Sequence, residues 1–243
     1  MWVDFHSHIL PRMDDGSPDV ETSLQMLRSL RDQGVERVAL TPHYYAHRSS
    51  VERFLKKRDD AYQQLLEAIG DEPMPELLLG AEVALEYDLE KHSDLKALCL
   101  EGTPFLMMEL PNRHYSPWML DKLISVCYAN ESLPMIAHLD RYIDLYSSAQ
   151  LEEIARDRDL VLQLNMSALL KWSQRKRVLA WMDMGRTVVL GTDAHNMGLR
   201  APRFEKPLKI MTKKLGIERV KEIELQSQKI SEGGVPSRLR REN

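Results

Sequence analysis

The chain alternates short apolar runs with longer segments in which apolar and polar positions recur at helical spacing. Seven apolar runs predict buried strands, at residues 2–5, 38–40, 77–79, 105–108, 134–137, 160–164 and 187–190. Eight other segments predict helices, at residues 17–33, 51–69, 89–100, 117–130, 149–156, 174–184, 202–215 and 217–227. This alternation predicts an α/β fold in which crossover helices join the strands of a parallel sheet.

The length and composition of the chain are those of a globular protein. Its 243 residues suffice for one large α/β barrel or two small domains, and 43% of them are hydrophobic and 29% charged. We find no internal repeat and no low-complexity linker. We therefore expect a single domain over residues 1–227 and a flexible tail over residues 228–243.

Charge is distributed unevenly along the chain. The formal net charge is −4, but residues 206–243 hold 10 Lys and Arg against 5 Asp and Glu, a net of +5, so residues 1–205 carry −9. The acidic majority argues against binding to nucleic acid and makes a nuclease the least favoured enzyme class. We interpret the basic end, which includes the predicted helices at 206–227, as a solvated surface. A patch for a partner or a membrane surface is the alternative.

The cysteines and the termini bear on the compartment. We find no signal-peptide pattern and no apolar run long enough to form a transmembrane segment. Cys99 and Cys127 are isolated and lie in helix-like segments, so we expect no disulfide, no zinc–thiolate site and no thiol nucleophile. We therefore expect a cytoplasmic protein that reaches the inner face of the membrane only through a partner.

Side chains of the metal-binding type follow the predicted strands. His6 and His8 come just past the first strand, and the two-residue period of extended chain points their imidazoles the same way. Asn165 follows the sixth strand, and the other strands are followed by acids and imidazoles: His43, Glu82, Glu109, His138, Asp193 and His195. Five of the eight histidines lie at these positions, and Asp14 in the first loop makes nine candidate ligands. In a closed parallel barrel all strands end on one rim, where these side chains would converge.

Nine ligands exceed the coordination of one ion, so we expect two or three divalent ions. Imidazole and carboxylate ligands without sulfur favour Mn²⁺, Fe or Zn²⁺ over soft metals, with Co²⁺ or Mg²⁺ as alternatives. Four carboxylates leave the charge of three such ions partly uncompensated, which suits a dianionic phosphate. Each side chain taken alone is more often a solvated loop residue than a ligand. The prediction therefore depends on the ordered set.

Several motifs resemble those of the polymerase-and-histidinol-phosphatase (PHP) superfamily. They are Asp4-x-His6-x-His8, Asp14-Asp15-Gly16, Thr41-Pro42-His43, Gly80-x-Glu82, His138-x-x-Arg141 and Gly191-Thr192-Asp193-Ala194-His195. Within the superfamily the chain is most similar to the bacterial capsule-type protein-tyrosine phosphatases, over residues 1 to about 205. The resemblance implies a distorted seven-stranded parallel (β/α)7 barrel with a trinuclear metal site, usually manganese, at its C-terminal rim.

The resemblance also implies a role for each site residue. The implied ligands of the three ions are, in order, His6, His8, Glu82 and Asp193; Glu82, Glu109 and His138; and Asp14, His43 and His195. Arg141 and Arg200 would be the catalytic arginines that bind the phosphate. Among the nearby tyrosines, Tyr44 is our candidate for contact with an aromatic substrate. Two departures from the family pattern, Leu139-Asp140 in place of Pro-Glu and Thr192 in place of Ser, remove no ligand.

Three functions follow from these observations. The first, which we adopt, is a protein-tyrosine phosphatase in which a metal-activated hydroxide attacks phosphorus directly. By family likeness, its substrate would be the tyrosine-rich tail of a kinase that controls capsule or exopolysaccharide synthesis. The second is the same metal chemistry on a small phosphomonoester such as histidinol phosphate. The third is a non-catalytic metal-bound scaffold that docks a kinase through its basic end, against which the complete ligand set argues.

Overall fold

The apolar runs of the sequence form parallel strands in a computed structural model, which describes residues 1–91 and 94–239. Its strands are β1 Trp2–Asp4, β2 Val35–Leu40, β3 His43–Tyr44, β4 Glu76–Leu79, β5 Glu82–Ala84, β6 Phe105–Glu109, β7 Leu133–Ile136, β8 Val161–Asn165 and β9 Val188–Gly191. All seven predicted strands are present. The two short additions, β3 and β5, lie just beyond β2 and β4 along the chain.

The strands form two parallel sheets. The first has the order β1-β2-β4, and the second the order β3-β5-β6-β7-β8-β9. Main-chain hydrogen bonds continue the pairing of β2 with β4 past their ends toward β3 and β5, from Gly80 N to Leu40 O and from Glu82 N to Pro42 O, both at 3.0 Å. At the other side, Phe5 N beyond β1 donates to Leu190 O of β9 at 2.9 Å. The predicted α/β class with parallel sheets is confirmed.

Seven helices connect the strands and close the described part of the chain. They are α1 Val20–Asp32, α2 Val51–Ile69, α3 Trp118–Ala129, α4 Ser148–Arg156, α5 Trp172–Asp183, α6 Glu205–Leu215 and α7 Ile217–Ser231. Helix α1 begins later than expected because Asp19, not Ser17, caps it, accepting from Thr22 N at 2.8 Å. Among the described residues, no helix combines the length and apolar composition needed to cross a bilayer.

Two predicted helical segments differ in the structure. In the segment predicted at 89–100, the described residues form two 3₁₀ helices, Leu89–Lys91 and Leu95–Leu98, instead of one continuous helix, and residues 92 and 93 lie outside the described residues. Leu95 N donates to Asn130 Oδ1 instead of to a preceding carbonyl. The helix predicted at 217–227 continues to Ser231, into the predicted tail, and the Leu239 side chain is buried. Residues 240–243 of that predicted tail lie outside the described residues.

Side-chain alternation along the strands divides the core into two clusters. Phe105 and Met107 of β6 belong to a smaller inner cluster, whereas Leu106 and Met108 pack in the larger cluster. Glu109 is in phase with the inner residues, so it extends their face at the end of the strand. Strand β8 is buried along its whole length, and its Gln163 is likewise in phase with an inner residue. Polar side chains therefore lie over an apolar floor at the carboxyl ends of the strands.

Candidate metal centre

The structure brings the candidate ligands together at the carboxyl ends of the strands. In the described part of the chain, four groups of acids and imidazoles each have ligand atoms within 4.8 Å of one another. The groups are His8, Asp15, His43 and His195; His6, His8 and Asp193; His6, Glu82 and His138; and His43, Glu82 and Glu109. Because they share members, the groups form one continuous cluster, which we call the metal cluster.

Glu82, at the start of β5, lies at the centre of the metal cluster and is fully buried. Its Oε2 is 3.2 Å from His6 Nε2, 3.2 Å from His8 Nε2 and 3.1 Å from His43 Nδ1. Its Oε1 is 2.6 Å from His138 Nε2. One carboxylate thus contacts four imidazoles, which is the arrangement expected of a bridging ligand.

Hydrogen bonds outside the cluster orient its imidazoles. The amide Oε1 of Gln163 can only accept, and it lies 2.9 Å from His6 Nδ1, so this nitrogen carries the proton. The same Oε1 accepts from His138 N at 2.6 Å. His8 Nδ1 donates to Asp14 Oδ2 at 2.7 Å. The Nε2 atoms of His6 and His8 therefore face Glu82, as the free nitrogens of metal-binding histidines face the ion when a polar partner holds the other nitrogen.

The adjacent acids Asp14 and Asp15 both approach the candidate ligands. The Oδ2 of Asp14 accepts from His8 Nδ1 at 2.7 Å and from His43 N at 2.8 Å, and Asp14 lies outside the four groups. Asp15 Oδ1 lies 3.7 Å from His43 Nε2 and 3.5 Å from His195 Nε2. Asp15 is therefore an alternative to Asp14 as the acid of the third ligand set, and the assignment of Asp14 stays a prediction.

We expect Asp15→Asn to remove one equivalent of metal from the protein, because an amide oxygen carries no charge for a divalent ion. Asp14→Asn should keep the stoichiometry and weaken affinity about 10- to 100-fold, as loss of a ligand-orienting group does. Metal titration monitored by calorimetry and elemental analysis measures both quantities, with Asp32→Asn on the exposed surface of α1 as the matched control. The opposite order of the two variants would return the ligand role to Asp14.

The groups of the metal cluster shift one another's pKa. Burial alone would lower the pKa of His8, but the hydrogen bond to Asp14 and the charge of Glu82 raise it to about 10. Burial also opposes the charge on His138, yet the charge of Glu82 contributes to raising its pKa to about 9. Burial would raise the pKa of Glu82 itself, but the charges of His6 and His138 hold it well below its usual range. Glu82 thus stays ionised, and divalent ions would displace protons from His8 and His138 as they bind.

Several buried atoms of the cluster have no hydrogen-bond partner among residues 1–91 and 94–239. These are Glu82 Oε2, His43 Nδ1, His138 Nδ1 and His195 Nε2. Burial and the charge of His8 lower the pKa of His195 to about 3, so its imidazole is neutral at physiological pH. Its Nδ1 donates to Asp193 O at 3.1 Å, which leaves Nε2 as a lone pair. Buried polar atoms are rarely left unpaired, and divalent cations fit this set of nitrogen and oxygen donors.

Strained backbone positions two of the candidate ligands. His138 and Asp193 have φ values of 30° and 53°, a left-handed region that costs these residues about 1–3 kcal/mol each. Gly191 lies two residues before Asp193. A Cβ atom at position 191 would lie 2.7 Å from both Gln163 Nε2 and His6 Cβ. Only glycine therefore allows the end of β9 to approach His6 so closely.

Buried polar side chains that we did not predict as ligands join the strand ends. Asp4 accepts from Thr192 N at 2.8 Å, from Thr192 Oγ1 at 2.5 Å and from His6 N at 3.2 Å. Thr192 thus supplies a hydroxyl, as the usual Ser would. Asp140, the other departure, accepts from Asn165 N at 2.7 Å, and Asn165 Nδ2 donates to Asp193 Oδ2 at 3.0 Å. The sequence contained one signal for these buried polar side chains, which is a polar residue inside an apolar run, such as Gln163 of β8.

Two arginines approach the metal cluster from the solvent side. Arg141 Nη2 lies 2.5 Å from Asp193 Oδ2, and Arg200 Nη2 lies 2.6 Å from Asp193 Oδ1. Their side chains are 36% and 34% exposed, so both remain accessible to a ligand. Burial would raise the pKa of Asp193, but the charges of His6, His138 and Arg141 hold it well below its usual range. The guanidinium groups therefore add positive charge next to the candidate ligands.

Tyr44 lies elsewhere than we predicted. It is only 1% exposed, its ring packs edge-on against Phe54 at 5.2 Å, and its hydroxyl donates to Ser49 O at 3.1 Å. These contacts make Tyr44 a core residue, not a substrate contact. Its neighbour Tyr45 faces the metal cluster, because successive side chains of an extended segment point to opposite sides, and its ring centroid is 5.4 Å from that of His43.

The cysteines lie apart from this chemistry, as predicted. Cys127 is fully buried, and Cys99 is partly buried with its Sγ 3.7 Å from Pro104 O. Burial raises the pKa of both thiols, that of Cys99 to about 11. Neither therefore forms the reactive thiolate that a cysteine-dependent hydrolase needs.

Comparisons with known proteins identify relatives across nearly the whole chain. The sequence model of one family, described as "Capsular polysaccharide synthesis, CpsB/CapC", matches residues 2–230. "Tyrosine-protein phosphatase YwqE" of Bacillus subtilis is 27% identical over 228 residues, which cover 89% of this chain and 86% of that protein.

Two solved structures share the fold. One is described as "Crystal structures of YwqE from Bacillus subtilis and CpsB from Streptococcus pneumoniae, unique metal-dependent tyrosine phosphatases". It matches with a TM-score of 0.80 and 22% identity, over 96% of this chain and 95% of that one. The other is a histidinol phosphate phosphatase from Lactococcus lactis in complex with zinc, L-histidinol and phosphate. Its TM-score is 0.54 at 13% identity, over 90% of this chain and 93% of that one.

Proposed function

Because this chain belongs to the CpsB/CapC family of capsular polysaccharide synthesis proteins, we propose that it is a metal-dependent phosphatase that hydrolyses phosphotyrosine in proteins. The observation that carries the proposal is the buried metal cluster around Glu82, which Arg141 and Arg200 face. Such a set of ligands and cations suits phosphoryl transfer to water. The name of the Bacillus subtilis relative supports the choice of phosphotyrosine.

The metal cluster would hold two or three divalent ions. The proposed ligands, in three sets, are His6, His8, Glu82 and Asp193; Glu82, Glu109 and His138; and Asp15, His43 and His195. Contacts of 3.1–3.2 Å between Glu82 Oε2 and three imidazoles support its bridging role. Bound ions would supply a hydroxide nucleophile at neutral pH and offset the charge of the phosphate. Imidazole and carboxylate donors without sulfur suit Mn²⁺, which we propose as the natural ion.

The side chains outside the ligand sets bind and orient the substrate. The planar forks of Arg141 and Arg200 would form paired hydrogen bonds to phosphate oxygens and stabilise the charge that grows on them during transfer. Tyr45 would pack against the phenol ring of the substrate. A phenol leaves as an anion more easily than a serine alkoxide, since its pKa is about 10, so the reaction needs little help from a general acid.

We also infer a distorted seven-stranded barrel. The continuation of β2 into β3 and of β4 into β5 supports counting seven strands, and the main-chain hydrogen bond between Phe5 and Leu190 supports closure between the first and last of them. A barrel would explain why the ligands lie on one rim.

The biological partner follows from the family. Its description supports a role in capsular polysaccharide synthesis, and a tyrosine kinase of that system is the substrate that we propose. The cytoplasmic location stays a prediction. A non-catalytic scaffold is less favoured, because a docking protein has no need of three complete ligand sets.

A substrate panel tests the proposed function. With Mn²⁺, we expect kcat/KM for a phosphotyrosine peptide to exceed that for the matched phosphoserine peptide, and for histidinol phosphate, by at least about tenfold, because a phenol leaves more readily than an alkoxide. A chelator should abolish turnover and added Mn²⁺ restore it, while a thiol-alkylating reagent has no effect. Faster turnover of histidinol phosphate would instead identify a small-molecule phosphatase, and peptide binding without turnover would identify a scaffold.

A further inference from the structure

A cavity of about 720 Å³ opens beside the metal cluster and shares Asp15 and His43 with it. Its outer wall is formed by α2 and the loop before that helix. Four basic side chains line this wall: Arg48, Arg53, Lys56 and Lys57. Residues 1–205 carry a net charge of −9, yet these four cations lie together on one wall. We call the wall formed by Arg48, Arg53 and Lys57 the basic subsite.

The charge of the basic subsite is not neutralised by its neighbours. Lys56 pairs with Asp60 at 3.2 Å, which cancels those two charges, whereas Lys57 Nζ donates to the neutral carbonyl of Met13 at 2.8 Å. Within the described residues, Arg53 forms no ion pair and is exposed. Asp14 and Asp15 also line the cavity, but Asp14 is paired with His8 and Asp15 belongs to the proposed metal ligands. The wall therefore presents net positive charge to the cavity.

Arg48 is held in place between the metal cluster and the outer wall. Its guanidinium carbon lies 4.5 Å from the ring centroid of Tyr45, and that ring is 5.4 Å from the ring of His43. Its Nε donates to His47 Nε2 at 3.2 Å, and His47 Nδ1 donates to Glu86 Oε1 at 2.5 Å. These contacts orient Arg48 and leave its terminal nitrogens without a hydrogen bond in the part of the chain that the structure describes. Ordered, unpaired guanidinium groups are well suited to bind carboxylates or phosphates.

We propose that the basic subsite binds a second negatively charged group on the same peptide as the phosphotyrosine, and so selects acidic or multiply phosphorylated substrates. This proposal rests on the proposed function, because it assumes that the phosphotyrosine occupies the metal cluster. The ring centroids of His43 and Tyr45 are 5.4 Å apart, and the guanidinium carbon of Arg48 is 4.5 Å from the ring centroid of Tyr45. Extended chain covers about 3.3 Å per residue, so a charge roughly two to four residues from the phosphotyrosine would reach the subsite.

Binding of non-hydrolysable peptides to the Mn²⁺-loaded protein tests the proposal without requiring turnover. Three peptides of one length carry a phosphonate analogue of phosphotyrosine, with either neutral flanks, two glutamates within four residues, or a second phosphonate there. We expect at least one charged peptide to bind about tenfold more tightly than the neutral one, with a preference that shrinks as salt is added. Whichever charged peptide gains affinity identifies the group that the subsite recognises.

Variants then locate the effect. Arg53→Glu and Arg48→Gln should each lower the ratio of charged-peptide to neutral-peptide affinity to a value between about one and three. Arg156→Glu makes the same charge change as Arg53→Glu at an exposed position of α4 and should leave the ratio intact. A ratio near one in the original protein overturns the proposal, as does a ratio that survives both subsite variants or falls equally in Arg156→Glu.

Failure of the two proposals can be told apart. If phosphotyrosine peptides are hydrolysed but bind without regard to flanking charge, the basic subsite is wrong and the phosphatase function stands. If the charge preference and its loss in Arg53→Glu are observed but no peptide is hydrolysed, the subsite stands and the phosphatase function is wrong.

Discussion

Replacing Glu82 by glutamine should nearly abolish turnover of a phosphotyrosine peptide, lowering kcat/KM at least about 10³-fold, or about 4 kcal/mol of transition-state stabilisation. The reason is its position: Oε2 is within 3.2 Å of imidazole nitrogens of His6, His8 and His43, and Oε1 is 2.6 Å from His138. Glutamine has nearly the same shape as glutamate but no charge, and the NH2 group of its amide is a hydrogen-bond donor. It would therefore lose a bridging ligand and turn a hydrogen-bond donor toward imidazoles or metal ions.

Metal content distinguishes this role from a merely structural one. We expect Glu82→Gln to retain less than half of the metal bound by the original protein after loading with Mn²⁺ and removal of excess ions. Glu131→Gln is the control, because Glu131 is 79% exposed and pairs with Lys96 on the surface. Circular dichroism checks that both variants fold. Full metal content and turnover within about tenfold of the original in Glu82→Gln would contradict a bridging role.

Replacing Arg141 by alanine should lower kcat/KM about 10²- to 10³-fold while the metal content stays unchanged, the usual effect of removing one donor to a developing phosphate charge. Arg141 lies 2.5 Å from Asp193 and 3.4 Å from His138 Nε2, so its guanidinium is next to the site proposed for the phosphate. Arg141→Lys should recover only part of the loss, because lysine keeps the charge but lacks the planar fork.

Inorganic phosphate provides a second measurement for Arg141. As a competitive inhibitor it should bind the Arg141→Ala protein at least about tenfold more weakly, whereas Arg156→Ala on the surface should have no effect. Loss of metal together with activity in Arg141→Ala would assign the residue to support of Asp193 instead of to phosphate binding. Unchanged kcat/KM and unchanged phosphate inhibition would remove it from the site.

Local patterns were sufficient to predict the strands and the residues at their ends. In a chain of this length, short apolar runs have few alternatives to forming strands that are buried on both faces. All seven predicted strands are present. Side chains at strand ends share one rim in such a sheet, so acids and imidazoles far apart in sequence were expected to meet. His8 and His195, which are 187 positions apart, belong to one group. The helix predicted at 89–100 was wrong because its helical spacing took no account of Asn130, which binds Leu95 N.

The identity of individual site residues depended on contacts that local patterns do not contain. Asp14 and Asp15 are equivalent as neighbours in a loop, and only the approach of His8 and His43 to Asp14 separates an orienting acid from the candidate ligand. Tyr44 and Tyr45 are likewise adjacent, and the direction of one short strand, β3, decides which faces the core. Gln163 orients His6 from 157 positions away in sequence.

The sequence by itself determined the α/β class, the order of the strands along the chain and the set of nitrogen and oxygen donors at their carboxyl ends. These features depend on the period of hydrophobic side chains and on residue chemistry, both of which are local. Only the tertiary structure decided that Glu82 lies at the centre, that Asp15 is grouped with His8, His43 and His195, and that four cations on one wall face a cavity next to His43. Those features depend on distances between segments remote in sequence, which packing of the sheets and helices sets and which no local pattern encodes.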